Sequence, residues 1–115
     1  MSVSLAIFKG EKFDSFKSEL VSDTPFSFQR VYNEHWKKAE KECGITFFKS
    51  GMMFTADDIP QVLDELMRLD EWAAENGCSD RGYMQCRIQE MTDLLTDFLN
   101  NSDGREFSEY WFDIG

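Results

Sequence analysis

The sequence predicts an α+β fold in which a short β-sheet packs against three or four α-helices within a single small domain, residues 1–115. Apolar residues alternate with polar ones near the N-terminus, aromatic residues cluster near the C-terminus, and apolar residues recur at helical spacing between them. The 115 residues suit one domain. A hydrophobic content of 42% supplies a core, so the net charge of −10 does not indicate disorder.

The first two elements are predicted to be a strand and a short helix. Val3, Leu5 and Ile7 alternate with small residues, and this strand is expected to end at Gly10. A second set of apolar residues then follows at helical spacing and predicts a short helix: Phe13, Phe16, Leu20 and Val21.

The next helix is expected to begin at Thr24–Pro25, because proline suits a first helical position and threonine caps, and to end at Gly44. One apolar face is predicted for it: Phe28, Val31, Tyr32, His35, Trp36, Ala39 and Cys43. The apolar runs 45–48 and 52–55, which flank Gly51, indicate a hairpin or a strand leading into a loop.

Two longer helices and a final strand are predicted in the second half. Thr55 and Asp58 resemble a capping box before a helix that ends at Gly77, and Ser79 or Asp80 caps the following helix, which stops within 100–104. The aromatic segment from residue 106 onward predicts a strand that pairs with the N-terminal strand.

The negative charge is concentrated in the second half of the chain. Residues 1–50 contain eight Lys plus Arg and seven Asp plus Glu, whereas residues 51–115 contain four and fifteen. Solubility needs only a modest net charge, so this asymmetry indicates an interaction surface. Such a surface disfavours nucleic acid and anionic membranes as partners and favours basic proteins.

The densest acidic segment runs from residue 57 to residue 75, where only Arg68 is basic. Like charges at helical spacing destabilise an isolated helix, so a binding role is weighed here against an ordinary solvated face. A second like-charged pair follows on the next helix. The predicted partner-binding residues are Asp57, Asp58, Asp64, Glu65, Asp70, Glu71, Glu75, Asp93 and Asp97.

The sequence does not predict an enzyme, a cofactor or a metal site. It contains no glycine-rich phosphate loop, no nucleophile elbow and no zinc-hydrolase motif. The acidic residues belong to a helix face, unlike the alternating oxygen ligands of a calcium loop. His35 is interpreted as a residue at the edge of the core, and Cys43, Cys78 and Cys86 as buried thiols without zinc-ligand spacing.

A cytoplasmic location is expected. The N-terminus lacks the features of a signal peptide, no apolar run is long enough to span a membrane, and three cysteines suit a reducing compartment.

In its size, its acidity and the segments Gly51-Met-Met-Phe-Thr-Ala-Asp-Asp-Ile-Pro and Glu109-Tyr-Trp-Phe-Asp-Ile-Gly, the chain resembles the immunity proteins of bacterial polymorphic-toxin and contact-dependent growth inhibition systems. The resemblance is one of type, without a diagnostic motif. It implies a cytoplasmic inhibitor that binds one cognate toxin C-terminal domain, often a basic nuclease. The alternative is an acidic nucleic-acid mimic that sequesters a DNA-binding or restriction protein.

Overall fold

The computed structural model describes residues 2–76, 78–100 and 109–115 and has the predicted α+β architecture. Four antiparallel strands form one sheet in the order β2-β1-β4-β3. The strands are β1 (Ser2–Gly10), β2 (Ser18–Phe28), β3 (Met53–Thr55) and β4 (Tyr110–Ile114). The N- and C-terminal strands pair at the centre of the sheet, which confirms the predicted pairing.

The helices contribute the other half of the core. A continuous helical segment contains α1 (Gln29–Val31), a π-helical turn (Tyr32–Trp36) and α2 (Lys37–Cys43). The two long helices, α3 (Ile59–Asn76) and α4 (Arg81–Asn100), follow one another and pack together. Their apolar stripes pack with one face of the sheet in a single cluster, so all of the helices stabilise one hydrophobic core.

The second predicted element is wrong, because residues 18–28 form strand β2 and only Ser15–Lys17 is helical, as a 3-10 turn. The apolar residues that suggested a helix do not share a buried face, since Phe13, Phe16, Leu20 and Val21 are all exposed. Phe13 adopts a positive φ of 63°, within the loop between β1 and β2. Their helical spacing therefore does not reflect helix packing.

The predicted helix start at Thr24–Pro25 is also wrong, since both residues belong to β2 and the helix starts at Gln29. Pro25 lies next to a register shift, where Val3 pairs with Ser27 and Ser4 pairs with Pro25. β2 is one of the two edge strands of the sheet, and an edge or a bulge is where a strand tolerates proline without losing a ladder hydrogen bond.

The predicted helix boundaries in the middle of the chain are largely confirmed. Gly44 ends α2 with a left-handed φ of 66°, and Thr55 and Asp58 form the capping box before α3. Of the two apolar runs near Gly51, only the second forms a strand, and it pairs with β4 instead of forming a hairpin with the first. The predicted helix end at Gly77 and the predicted segment 101–108 lie outside the described residues.

The face of the sheet opposite the core contains a smaller aromatic cluster. Trp111 is buried there, stacked on Phe8 with 4.4 Å between ring centroids and contacted edge-on by Phe13. The Trp111 Nε1–H donates a hydrogen bond to Ser18 Oγ at 3.0 Å. This second cluster fixes the β1–β2 connection against β4.

Candidate partner-binding surface

Eight of the nine predicted acidic residues have side chains that reach solvent at least in part. They lie on the 3-10 turn Ala56–Asp58 and on α3 and α4. We call this set the acidic surface: Asp57, Asp58, Asp64, Asp70, Glu71, Glu75, Asp93 and Asp97.

Glu65 does not belong to the acidic surface, and its predicted role in partner binding is wrong. Its side chain is fully buried, on the face of α3 that packs into the core. Its two carboxylate oxygens accept hydrogen bonds from the backbone N–H groups of Thr46, Phe47 and Phe48 at 2.9–3.4 Å. A buried carboxylate with this many donors organises the 45–48 segment and is inaccessible to a partner.

Asp58 has a structural role in addition to its place on the acidic surface. Its Oδ2 accepts hydrogen bonds from the backbone N–H of Thr55 at 3.1 Å and from the Thr55 hydroxyl at 3.3 Å. These contacts cap the first turn leading into α3, so substitution of Asp58 changes helix stability as well as surface charge.

Most of the acidic surface forms no ion pair with the residues that the structure describes. Asp64 pairs with Arg68 at 3.3 Å, whereas the other seven carboxylates make no ion pair within that part of the chain. Asp93 accepts a hydrogen bond from the neutral Gln89 amide at 2.9 Å. Besides the capping residue Asp58, the carboxylates without an ion pair are Asp57, Asp70, Glu71, Glu75, Asp93 and Asp97.

A shallow groove of about 240 Å³ runs between α3 and α4. Asp70 lines it together with Met67, whose side chain is 62% exposed. Thr92, Thr96 and Gln89 supply uncharged polar groups from α4. An exposed methionine beside the Asp70 carboxylate offers apolar contact area next to a negative charge, and apolar area bordered by polar groups is typical of a protein-binding surface.

The aromatic residues Trp72, Trp111 and Phe112 belong to the interior of the protein. Trp72 is 9% exposed, and its Nε1–H donates to Glu42 on α2 at 2.6 Å. Trp111 and Phe112 are buried on opposite faces of β4. They are therefore structural residues of the fold.

A charged cluster around His35 was not predicted from sequence. His35 Nε2 lies 2.9 Å from Asp80 Oδ2 and 3.9 Å from Glu34 Oε2. The Arg30 guanidinium contacts Glu34 at 3.0 Å and Asp80 at 3.3 Å, and the hydrogen bonds from Arg30 and His35 hold the pKa of Asp80 below its ordinary value. Asp80 is distant in sequence from the other members of the cluster. From the sequence alone, only the i, i+4 spacing of Arg30 and Glu34 indicates an ion pair.

This cluster offers three potential metal ligands in one place, Glu34, His35 and Asp80. Arg30 already supplies a cation to both carboxylates, so the arrangement resembles a structural ion-pair network more closely than a metal site. It joins the π-helical turn to the start of α4.

The thiols differ from the expectation of buried cysteines. Cys86 is exposed on α4, and Cys43 is half-buried, with its Sγ 3.7 Å from the carbonyl oxygen of Arg68. Burial raises the pKa of the Cys43 thiol above its ordinary value, which disfavours the reactive thiolate. Both residues are free thiols, and the side chain of Cys78 lies outside the described part of the structure.

No protein-family model, curated protein or solved structure matches this chain. Within the described ranges, no helix is both long enough and apolar enough to cross a bilayer. Function must therefore be inferred from the chemistry of the acidic surface and the groove.

Proposed function

We propose that this chain is an immunity-type protein that binds a basic toxin domain through the acidic surface and neutralises it. The single observation that supports the proposal is the set of six exposed or half-exposed carboxylates without ion pairs on α3, on α4 and on the turn before α3, one of which, Asp70, lines the α3–α4 groove. A chain that needed these residues only for solubility would gain little from concentrating them on two adjacent helices.

The chemistry of a nuclease favours this pairing. A nuclease attracts a polyanionic substrate with a positive field, and an inhibitor with preformed carboxylates is drawn to the same field. Charge complementarity of this kind raises the association rate and suppresses binding of unrelated partners. The groove lined by Met67 and Asp70 would then receive an apolar side chain of the toxin and slow dissociation.

The proposal describes an inhibitor without catalytic activity or cofactor, acting in the cytoplasm. The free thiols of Cys43 and Cys86 support a reducing compartment. In this proposal the chain contacts neither nucleic acid nor membrane, because its net charge of −10 opposes approach to polyanions and to anionic lipid.

The first experiment is affinity purification of the tagged full chain from its native cells, followed by washing at low and then high salt. We expect one stoichiometric partner with a basic C-terminal domain. The purified partner should degrade nucleic acid, and adding the chain at a 1:1 ratio should abolish this activity.

A pair of charge-matched variants tests the surface itself. Glu71→Gln/Asp97→Asn removes two carboxylates from the acidic surface, and Glu19→Gln/Asp23→Asn removes two from the edge strand β2. The first variant should lose partner capture and inhibition at physiological salt, and the second should retain both. Equal effects of the two variants would contradict the proposal, and capture of many basic proteins that all dissociate in salt would favour the nucleic-acid mimic.

A further inference from the structure

A second cavity, of about 490 Å³, lies between α2 and the loop that contains Lys49 and Ser50. Four lysines line it, in contrast to the acidic surface on α3 and α4. They are Lys37, Lys38, Lys41 and Lys49. Its volume falls within the range of pockets that bind small molecules.

The floor of this lysine cavity is held by a hydrogen-bond network that does not depend on the lysines. Tyr32, from the π-helical turn, is 2% exposed, and its hydroxyl donates to the Glu40 carboxylate. The backbone N–H of Ser50 donates to the Tyr32 oxygen at 2.7 Å. Because this network joins the helix to the loop, the protein's own residues preform the cavity.

The lysines themselves lack ion-pair partners. None of the four forms an ion pair with any residue in the described part of the chain, although the sequence contains 22 Asp plus Glu. Glu40 is the single carboxylate among the lining residues that the structure describes. It accepts a hydrogen bond from Tyr32 and interacts electrostatically with Lys37 and Lys49, without forming an ion pair with either. Lys37 and Lys41 also stand at i, i+4 spacing, which is destabilising for like charges.

The backbone next to the cavity is unusual as well. The π-helical turn Tyr32–Trp36 immediately precedes α2 and places Tyr32 in the cavity lining. Such turns are rare and are found frequently at functional sites. Four lysines without ion pairs and a π-helical turn at one concave site are two independent indications of a ligand.

We propose that the lysine cavity binds a small ligand that carries two or more phosphate groups. The four lysines and Glu40 give the lining a formal charge of +3, which matches a polyphosphate. Lysine acts as a point charge suited to phosphate oxygens, whereas carboxylate recognition commonly uses the planar fork of arginine, and the described lining contains no arginine.

A small ligand fits better than a nucleic acid. The net charge of −10 repels a long polyanion that must extend over the rest of the molecule. A compact polyphosphate enters the cavity and interacts mainly with the adjacent lysines, since charges farther away are screened over about 8 Å at physiological ionic strength. This binding is separate from the proposed inhibition of a toxin.

Isothermal titration calorimetry on the full chain tests the site, with inorganic pyrophosphate and tripolyphosphate as probes and orthophosphate as the comparison at matched ionic strength. Tripolyphosphate should bind 1:1 and at least about tenfold more tightly than orthophosphate. The variant Lys37→Gln/Lys49→Gln should weaken tripolyphosphate binding by at least about tenfold, because two charges are lost.

The variant Lys9→Gln/Lys12→Gln removes the same charge outside the cavity and should leave the affinity unchanged. Thermal unfolding of each variant verifies that it is folded. Absence of heat with both probes, or equal affinity in the two variants, would overturn the proposal. Tighter binding of a single-stranded oligonucleotide would point to nucleic acid instead, and tighter binding of a poly-glutamate peptide would point to an acidic protein segment.

Discussion

The Glu65 carboxylate accepts a hydrogen bond from the backbone N–H of Phe48 at 2.9 Å, inside the core. Glu65 also accepts hydrogen bonds from the backbone N–H groups of Thr46 and Phe47. These bonds provide acceptors for backbone N–H groups in a segment that has no regular secondary structure. A helix side chain thereby replaces the ladder hydrogen bonds that the predicted hairpin would have supplied.

Glu65→Ala is expected to lower the free energy of unfolding by about 3 kcal/mol, because it leaves buried N–H donors without an acceptor. Glu65→Gln should cost less, since one acceptor oxygen remains. Glu71→Ala, at an exposed position of the same helix, should change stability by no more than about 0.5 kcal/mol. Urea denaturation measures all three, and a small effect of Glu65→Ala would show that this network is not important for stability.

Two glycines are expected to respond in opposite directions to replacement by alanine. Gly44 has φ +66°, and no atom lies within 4 Å of the position that a Cβ would occupy. Gly44→Ala should therefore lower the free energy of unfolding by about 1 kcal/mol through backbone strain alone. Gly82 lies within α4 with similar free space, and Gly82→Ala should stabilise by up to about 1 kcal/mol. Thermal melts should therefore shift down for the first variant and up for the second, and shifts of the same sign would contradict this interpretation of the backbone.

Asp113 is expected to make stability fall as pH rises. Partial burial on β4 raises the pKa of Asp113 above its ordinary value, so the folded state holds the proton more tightly than the unfolded chain. The stabilisation that comes from this tighter proton binding is fully present below the pKa of Asp113 in the unfolded chain. It is lost as the pH rises through the pKa of Asp113 in the folded protein.

Asp113→Asn removes this titration. At pH 7 the free energy of unfolding of the variant should exceed that of the parent by about 0.5 kcal/mol or less. This difference should shrink as the pH is lowered toward about pH 3.5. Urea midpoints at the two pH values provide the measurement. A gain that increases toward low pH would assign the opposite sign to the shift.

The acidic surface and the groove should affect different rate constants of partner binding. Replacing Asp64, Asp70 and Glu71 by Asn or Gln should slow association and flatten its dependence on salt, because long-range steering is reduced. Met67→Ser should mainly accelerate dissociation, since it removes apolar contact within the groove. Surface plasmon resonance against the captured partner separates the two effects, and unchanged kinetics at low salt for the charge variant would exclude these residues from the interface.

The sequence predicted those parts of the fold that local signals determine. Gly44 as a left-handed helix end and the Thr55–Asp58 capping box depend on neighbouring residues, and both are present. The predicted pairing of β1 with β4 is also present. Strand β2 was missed because Pro25 carries a helix-start signal that only its position at a sheet edge overrides.

The candidate sites were less accessible to prediction. Glu65 shares its sequence neighbourhood with exposed acids, and its burial depends on donors about 18 residues earlier in the chain. The helical spacing of the acidic residues did not separate Glu65 from Asp64, although its place on the apolar stripe with Leu66 and Leu69 would have done so. The lysine cavity requires Lys49 to meet α2 across a loop, which no local pattern reveals.

The position of β1 beside β4 has a kinetic consequence. Leu5 lies opposite Ile114, so the central pair of the sheet joins residues that are far apart in the sequence, and β3 has β4 as its partner. Closing so long a loop is entropically costly, and contacts of this range form late and slow the folding of a domain. During synthesis on the ribosome, β1–β2 and the two long helices can form early. The sheet is completed only after Ile114 has left the exit tunnel, so a nascent chain cannot acquire its native core before this residue emerges.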